Sequence, residues 1–173
     1  MPRCEPYKTE TKPERALLVG VELPSSIWPL KDTMAELKRL TATAGADCVY
    51  STTQRLASPN PRSFVGTGKA EEIASLCLSY AVDVVIFDDE LSPSQQSNLE
   101  HIVPGNVKVL DRTALILDIF ALHAHTKAGR LQVRLAQNEY LLPRLRGMWG
   151  HLASNRMGGG VGSRFGEGES QLE

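Results

Sequence analysis

The sequence has few cysteines and no long apolar run, and each absence excludes a class of protein. Its three cysteines, Cys4, Cys48 and Cys77, are odd in number and widely spaced, so they form neither a disulfide framework nor a metal-ligand pattern. No apolar run approaches the roughly 18 residues that a membrane span requires. The first residues, MPRCEPYKTETKPE, lack the apolar core of a secretory signal. We therefore expect a cytoplasmic protein without a membrane span.

The remaining composition is ordinary for a globular protein, but the charge is unevenly distributed. Of 173 residues, 42% are apolar and 23% are charged, which suffices for one domain with an appendage. Residues 112–164 contain eight basic and two acidic side chains, whereas residues 1–111 contain eleven basic and fifteen acidic ones. A basic second part favours contact with a polyanion, although a solvated basic helix face would give the same pattern.

Strand and helix patterns alternate along the first part of the chain. Apolar segments typical of buried strands occur at residues 15–23, 46–54, 82–89 and 107–110. Helical spacing of apolar residues occurs between them, at residues 30–45, 69–81 and 92–103. Ser92 and Gln95 fit a capping box, and Pro93 stands at the favoured first helical position. The alternation predicts an α/β fold whose small, mostly parallel sheet is flanked by helices.

From Arg112 onward the pattern becomes continuously helical. Residues 113–124 and 130–146 predict two helices with a break at Lys127–Gly129, and Pro143 should kink the second helix or mark its last turns. The sequence therefore predicts three regions, which are a flexible tail (1–14), an α/β subdomain (15–111) and a protruding, hairpin-like helical subdomain (112–173).

One candidate anion site lies in the segment FVGTGKAEE. Gly66, Gly68 and Lys69 precede a helix, whose N-terminal N–H groups could hold a phosphate or nucleotide. The segment is not a Walker A loop, because Ser63 and Ala70 stand where that motif has glycine and Ser/Thr. A glycine turn that enters a helix, with an exposed lysine, is the simpler interpretation.

Three consecutive carboxylates follow the third predicted strand. Asp88, Asp89 and Glu90 stand at the sheet edge where α/β folds bind ligands, and they could hold Mg²⁺. No His or Cys stands beside them to form a transition-metal site, so a solvated turn is favoured. We predict no metal site and no catalytic residue.

The segment RLRGMWGHLASNRMGGGVGSRFGEGES, residues 144–170, combines many glycines with four arginines, one tryptophan and one histidine. Arginine planes and aromatic rings bind unstacked RNA bases, and glycines let the backbone approach a crowded surface. A flexible linker is the alternative, but linkers favour Gly and Ser without Trp and Arg. The residues therefore favour an RNA-binding segment.

Long, ordered motifs resemble the N-terminal part of the HflX family of ribosome-associated GTPases. They are ALLVGVEL, FVGTGKAEE, VIFDDELSPSQQSNLE, VKVLDRTALILDIFALHAHTKAGRLQVRLAQNEYLLPRLRGMW, GGGVGSR and GESQLE. The match extends over nearly everything from Arg15 to Glu173. The resemblance implies an α/β subdomain, two long antiparallel helices and then a Ras-like G domain that binds GTP with Mg²⁺.

The resemblance also implies binding to the large ribosomal subunit, in the splitting or rescue of stalled ribosomes under stress such as heat. The loop between the two long helices would reach toward the peptidyl-transferase centre. Carried onto this sequence, the candidates for rRNA contact are Arg144, Arg146, Trp149, His151, Arg156, Gly158, Gly159, Gly160, Gly162 and Arg164.

The sequence departs from the family pattern in two ways. The family loop commonly reads G-P-G-E-T-Q-L-E after the arginine, whereas FGEGESQLE follows Arg164 here, with Phe165 extra and Glu167 in place of proline. We therefore expect a less rigid loop tip. The return helix and the G domain are also absent, so we expect a fragment that has no P-loop, contains no cofactor of its own and does not hydrolyse GTP.

Two other functions stay open at this point. The first is a small Mg²⁺-dependent ATP-binding α/β protein that uses Lys69 with Asp88 or Asp89. An ATP-binding role for the N-terminal part has been proposed in the family, although the displaced glycine and the missing Ser/Thr disfavour it here. The second is a protein-interaction module whose helical arm docks on another helix.

Overall fold

A computed structural model describes residues 12–152 of the chain, and side chains as far as Leu145. The strands of this part are β1 (Glu14–Glu22), β2 (Ala46–Arg55), β3 (Val84–Phe87) and β4 (Lys108–Asp111). Its helices are α1 (Leu30–Thr43), α2 (Thr67–Ser79), α3 (Pro93–Ile102), α4 (Arg112–His123) and α5 (Lys127–Leu152). None of these helices is both long and apolar enough to cross a bilayer.

The four strands form one parallel sheet in the order β2-β1-β3-β4. The predicted α/β class is therefore confirmed, and every strand pair described is parallel. β3 is buried along its whole length, because helices cover both faces of the sheet. Phe87 of β3 pairs with Asp111 of β4, so both strands end at the same sheet edge.

Each face of the sheet has its own apolar core. Leu17, Ile73 and Leu99 belong to the core that β1 forms with α2 and α3. Leu18, Leu37 and Leu115 belong to the core on the opposite face, which α1 and α4 cover. Burying a large apolar side chain contributes about 1.5–3 kcal/mol, so these two layers supply most of the driving force for folding.

The predicted start of α3 is confirmed. The Ser92 hydroxyl accepts a hydrogen bond from the Gln95 N–H, and the Gln95 side chain accepts one from the Ser92 N–H. Pro93 stands in the first turn, where its missing N–H has no intrahelical partner to lose.

The predicted break at Lys127–Gly129 is wrong, because α5 begins at Lys127 and the interruption lies at residues 124–126. The Thr126 hydroxyl accepts a hydrogen bond from the Gly129 N–H at 3.0 Å, which caps the new helix. A cap of this kind offsets the low helix propensity of glycine in the first turn. Pro143 lies inside α5, which continues to Leu152.

The order of elements matches the predicted fold class, and the division into three regions stays a prediction. Helices α4 and α5 follow the sheet, as expected for a helical subdomain. Glu14 lies in β1, one residue earlier than the predicted boundary. The rest of the predicted tail, to residue 11, and residues 153–173 lie outside the described part, and the predicted subdomain boundaries stay predictions.

Candidate functional site

The predicted rRNA contacts begin in α5, which we refer to as the arm. At a rise of 1.5 Å per residue, its 26 residues extend about 39 Å. Arg144 lies in the part of the arm whose side chains are described. Arg146, Trp149 and His151 belong to its last turns by backbone alone. The remaining candidates lie outside the described residues, namely Arg156, Gly158, Gly159, Gly160, Gly162 and Arg164.

A buried carboxylate stands where the arm meets the sheet. Asp111 ends β4 and is fully buried. It is also the N-cap of α4, since its Oδ1 accepts a hydrogen bond from the Ala114 N–H at 2.9 Å. The Leu91 N–H, which follows the neighbouring strand β3, donates to Oδ2 at 3.1 Å. The strand end and the start of two helices thus converge on one carboxylate.

Two side chains of the arm complete this site. The Tyr140 hydroxyl donates to Asp111 Oδ1 at 2.8 Å, and Arg144 Nη2 donates to Asp111 Oδ2 at 3.1 Å. Arg144 Nη2 also donates to the Leu91 carbonyl at 2.8 Å, and its Nε donates to Gln96 Oε1 at 2.8 Å. We refer to Asp111, Tyr140 and Arg144 as the arm anchor.

The spacing of the two arm residues explains how both reach one carboxylate. Tyr140 and Arg144 are four residues apart and therefore lie on the same helix face. The guanidinium carbon of Arg144 lies 3.4 Å from the centroid of the Tyr140 ring, which is a cation–π contact. Arg144 Nη1 donates to the Tyr140 carbonyl at 2.9 Å. The aromatic ring thus supports the guanidinium in the orientation that Asp111 requires.

The electrostatics of the arm anchor are balanced. Asp111 is fully buried and the Arg144 side chain is 12% exposed, so the pair removes one charge of each sign from solvent. Four donors meet the roughly four lone-pair sites of the carboxylate, which offsets its desolvation. Burial, and next the Asp111 charge, raise the pKa of Tyr140 far above its usual value. The phenol therefore remains a hydrogen-bond donor at every physiological pH.

Sequence reasoning missed two members of the arm anchor. Asp111 had a local signal, because an aspartate between a strand and an apolar helix is a typical N-cap. Tyr140 and Arg144 had the weaker signal of an aromatic and a cation at helical spacing. Neither signal identifies the partner of the arginine. The rRNA contact predicted for Arg144 stays a prediction, but its side chain is already occupied by protein groups.

The second candidate site contains Asp88, whose side chain is 8% exposed. Arg112 donates to Asp88 Oδ1 through Nη1 at 2.8 Å and contacts Glu36 through Nη2 at 2.6 Å. Burial, and next the charge of Asp88, raise the pKa of Asp89. No group of three acidic, His or Cys side chains in the described part is arranged to hold a metal ion. Arg112 is therefore the counter-charge of Asp88, and it also pairs with Glu36.

The third candidate site is the start of α2. Gly66 is the N-cap, and its N–H donates to Gln54 Oε1 at 3.0 Å. A Cβ at Gly66 would lie only 3.1 Å from Gln54 Nε2, so glycine leaves room for this contact, whereas a Cβ at Gly68 would meet nothing within 4 Å. Lys69, with an 11% exposed side chain, donates to Glu72 at 2.8 Å. The ion pair with Lys69 is the first cause of the lowered pKa of Glu72.

The structure does not bring Lys69 and Asp88 together in one ion-pair cluster. Lys69 belongs to α2, which packs on one face of the sheet. The partners of Asp88, Arg112 and Glu36, belong to α4 and α1 on the other face. Each charge has its own counter-charge, so no contact supports an ATP site that uses both residues.

Comparison with known proteins identifies the chain's relatives. Residues 31–121 match the family described as GTP-binding GTPase N-terminal, and residues 123–173 match the GTP-binding GTPase Middle Region. The chain is 48% identical over 161 residues to GTPase HflX of Flavobacterium psychrophilum, covering 92% of this chain and 38% of that protein. It is 45% identical over 142 residues to GTPase HflX of Escherichia coli K12, covering 82% and 32%.

Solved structures share the fold. A GTP-binding protein of Sulfolobus solfataricus, in complex with GDP, superposes with a TM-score of 0.60 and 25% identity, covering 79% of this chain and 40% of that one. SsGBP in complex with GDP superposes with a TM-score of 0.63 at 24% identity, covering 82% and 39%, which shows the fold alone. The chain thus spans about two fifths or less of the length of these relatives.

Proposed function

This chain belongs to the HflX family of GTP-binding GTPases, whose N-terminal and middle regions it matches, and we propose that it binds the large ribosomal subunit. In this proposal the α/β part holds the arm, and the rRNA contacts begin in the last turns of the arm and continue through the rest of the Gly/Arg-rich segment. The segment is directed at the peptidyl-transferase centre.

The arm anchor is the observation on which this proposal rests. The arm begins at Lys127, and its side chains are joined to the sheet edge by the buried Asp111–Arg144 pair at 3.1 Å. The chain continues from there directly into the basic segment. A segment that follows a helix fixed at its midpoint is presented in one direction, as recognition of a fixed RNA surface requires.

The residues beyond the arm anchor have separate roles in the proposal. Arg146, Arg156 and Arg164 contact phosphates, since guanidinium groups bind phosphate oxygens in pairs. Trp149 and His151 stack on unpaired bases. Four glycines allow the backbone to approach the RNA closely, and they are Gly158, Gly159, Gly160 and Gly162.

The charge distribution supports rRNA as the partner. Residues 112–164 contain eight basic and two acidic side chains. Within the described part, Arg112 and Arg144 are offset by acidic partners. The other basic residues of this region give the arm and its tip an excess of positive charge, which attracts an anionic RNA surface.

The whole protein to which such a region belongs would bind GTP with Mg²⁺ in a G domain. We propose that it acts in the cytoplasm, in splitting or rescuing stalled ribosomes under stress. The N-terminal region would supply the ribosome contact, and the G domain would supply the nucleotide-dependent step. The proposal names no described residue as a ligand of GTP or Mg²⁺.

Co-sedimentation of the chain with purified large subunits, at 50–300 mM salt, tests the proposal. We expect the triple variant Arg146→Gln, Arg156→Gln, Arg164→Gln to bind more weakly. If each arginine contacts one phosphate, the slope of log affinity against log salt should fall by about 2–3.

The matched control changes the same number of charges elsewhere on the arm. Lys127, Arg130 and Arg134 are exposed near its beginning, and their replacement by Gln should reduce the salt slope much less. If both triple variants lost affinity and salt slope equally, the binding would be non-specific attraction of the whole basic arm. If the variant Arg146→Gln, Arg156→Gln, Arg164→Gln kept the affinity and the salt slope of the parent, the segment would be only a linker.

A further inference from the structure

We propose that Arg144 is a positioning residue that fixes the direction of the arm, rather than a residue that contacts RNA. This inference rests on the proposed function, since it assigns a role within the same site. Four of the five N–H donors of its guanidinium are engaged by protein acceptors. The acceptors are Asp111, the Leu91 and Tyr140 carbonyls, and Gln96.

The acceptors of Arg144 outside the arm belong to three different parts of the α/β fold. Asp111 ends β4 and caps α4, and the Leu91 carbonyl lies in the connection between β3 and α3. Gln96 belongs to α3 and is itself held, since its Nε2 donates to the Val109 carbonyl at 3.0 Å. A planar guanidinium that meets three fixed acceptors has one orientation, and the helix that bears it inherits that orientation.

The orientation of the arm at Arg144 determines where the end of the arm lies. The eight residues that follow Arg144, as far as Leu152, extend the helix by about 12 Å. A tilt of about 10° at the anchor would therefore displace the end of the arm by about 2 Å, and the chain beyond it by more. Binding sites need side chains placed within roughly 0.5 Å, so a loosened anchor misplaces the whole RNA-binding segment.

Arg144 has a buried counter-charge, which distinguishes it from the proposed phosphate contacts Arg146, Arg156 and Arg164. Its charge is offset by Asp111 at 3.1 Å, and its side chain is 12% exposed. An RNA phosphate would have to displace a buried carboxylate and two protein carbonyls. Loss of Arg144 should therefore weaken RNA binding without removing a phosphate contact, and the salt slope should stay the same.

The direction of the arm is measured by double electron–electron resonance between two spin labels. The background replaces the native cysteines, and labels are attached at exposed Glu71 on α2 and exposed Leu142 on the arm. We expect a narrow distance distribution for the parent. Arg144→Met should free the arm to pivot about its start at Lys127. A tilt of about 10° there would move Leu142, which lies about 22 Å along the helix, by about 4 Å, so the distribution should broaden or shift by several ångströms.

Three further variants keep this test decisive. Arg134→Met removes the same charge from an exposed position of the arm and should leave the distribution unchanged. Arg144→Lys keeps the charge beside Asp111 but lacks the planar fork, so the chain should fold and the distribution should still broaden. Tyr140→Phe removes one hydrogen bond to Asp111 and should give an intermediate width.

Large-subunit binding provides the second measurement. Arg144→Lys should reduce affinity several-fold at an unchanged salt slope, whereas Arg146→Gln should reduce the slope by roughly 0.7–0.9. A distance distribution that stays narrow in both Arg144 variants would overturn the positioning role. A reduced salt slope in Arg144→Met would overturn it in favour of a phosphate contact. If the parent chain does not bind large subunits, the proposed function fails, and the spin-label distances still decide whether Arg144 orients the arm.

Discussion

The Asp111 side chain accepts hydrogen bonds from four donors while it is fully buried. Asp111→Asn keeps the shape but removes the charge and half of the acceptors, which leaves the Arg144 guanidinium without its counter-charge. Breaking a buried pair in this way costs about 3–5 kcal/mol. We expect the melting temperature to fall by roughly 6–20 °C, as followed by circular dichroism.

The control for this prediction is Asp47→Asn, which makes the same chemical change at an exposed position of β2. Its free energy of unfolding should change by no more than about 0.5 kcal/mol. If Asp111→Asn were as stable as the parent, the four contacts would not stabilise the fold, and the arm anchor would lose its physical basis.

Replacing Asp89 should stabilise the protein, whereas replacing Asp111 should destabilise it. Burial, followed by the charge of Asp88, raises its pKa above 3.8, so ionisation of Asp89 opposes folding. A raised carboxyl pKa contributes stability that is present below the unfolded value and is lost as the pH rises through the folded value. Asp89→Asn should therefore be more stable than the parent at pH 7, and equal to it at about pH 3.5.

Urea unfolding at several pH values measures this difference, with Asp47→Asn again as the exposed control. A stability difference that did not change with pH would show that the amide acts through packing or hydrogen bonding. A loss of stability at pH 7 would mean that the coulombic attraction of Arg112 for the Asp89 carboxylate outweighs the desolvation of that carboxylate.

The sequence predicted the types of residue in the arm better than their partners. The sequence places Arg144 with Arg146, Arg156 and Arg164, because its neighbours along the chain are basic and glycine-rich. Its acceptors Asp111 and Leu91 are 33 and 53 residues away, which no periodicity over a few turns can detect. Lys69 shows the opposite case, since Glu72, only three residues further on, could have been recognised as its partner.

At the scale of elements, burial explains which predictions succeeded. β1 and β3 are covered on both sides, so their uninterrupted apolar sequences identified them. The capping box of α3 was also recognisable, because Ser92 and Gln95 contact each other locally. Glycine predicts a helix break at Gly129, but α5 begins at Lys127 because the Thr126 side chain caps the helix. A side-chain cap can outweigh one unfavourable propensity.

Pro143 lies inside α5 and leaves the Glu139 carbonyl without the N–H that a helix normally provides. Proline in a helix interior is about 3 kcal/mol less favourable than alanine. We expect Pro143→Ala to raise the free energy of unfolding by roughly 1–3 kcal/mol and to increase the helical signal at 222 nm. The adjacent Leu142→Ala, at a position 58% exposed, should change stability by about 0.5 kcal/mol or less.

Destabilisation by Pro143→Ala would contradict this expectation and would point to a different role of the proline. A lower melting temperature would indicate that a bend at Pro143 is needed for Arg144 to reach Asp111. The proline would then belong to the arm anchor, and its replacement should broaden the spin-label distances as Arg144→Met does.

For the molecule as a whole, we expect no GTP hydrolysis by this 173-residue chain. A P-loop needs backbone N–H groups, a lysine and a Mg²⁺-binding Ser/Thr in one loop. The segment around Lys69 has Ser63 and Ala70 at the positions that the motif reserves for glycine and Ser/Thr. Phosphate release with GTP and Mg²⁺ should match a blank without protein. Turnover that Lys69→Ala abolishes would instead establish a nucleotide site at the start of α2.

The arm anchor also makes a prediction about cooperativity. Arg144 bonds to β4, α3 and the connection before α3, so the arm cannot separate from the sheet without exposing the Asp111 carboxylate and leaving it unpaired. Hydrogen exchange measures the free energy of opening at individual amides. In the parent, we expect amides of α5 near Tyr140 to approach the protection of those in β1.

In Asp111→Asn the same α5 amides should exchange faster by roughly two to four orders of magnitude, because the loss of about 3–5 kcal/mol lowers the free energy of opening the arm. Amides of β1 that exchange through global unfolding should lose a similar factor, because unfolding also breaks the Asp111–Arg144 pair. Unchanged exchange of the α5 amides in Asp111→Asn would mean that the arm opens without breaking the pair. Low protection of α5 already in the parent would mean that the Asp111–Arg144 pair does not couple the arm to the sheet, and the segment beyond it would then have no fixed direction.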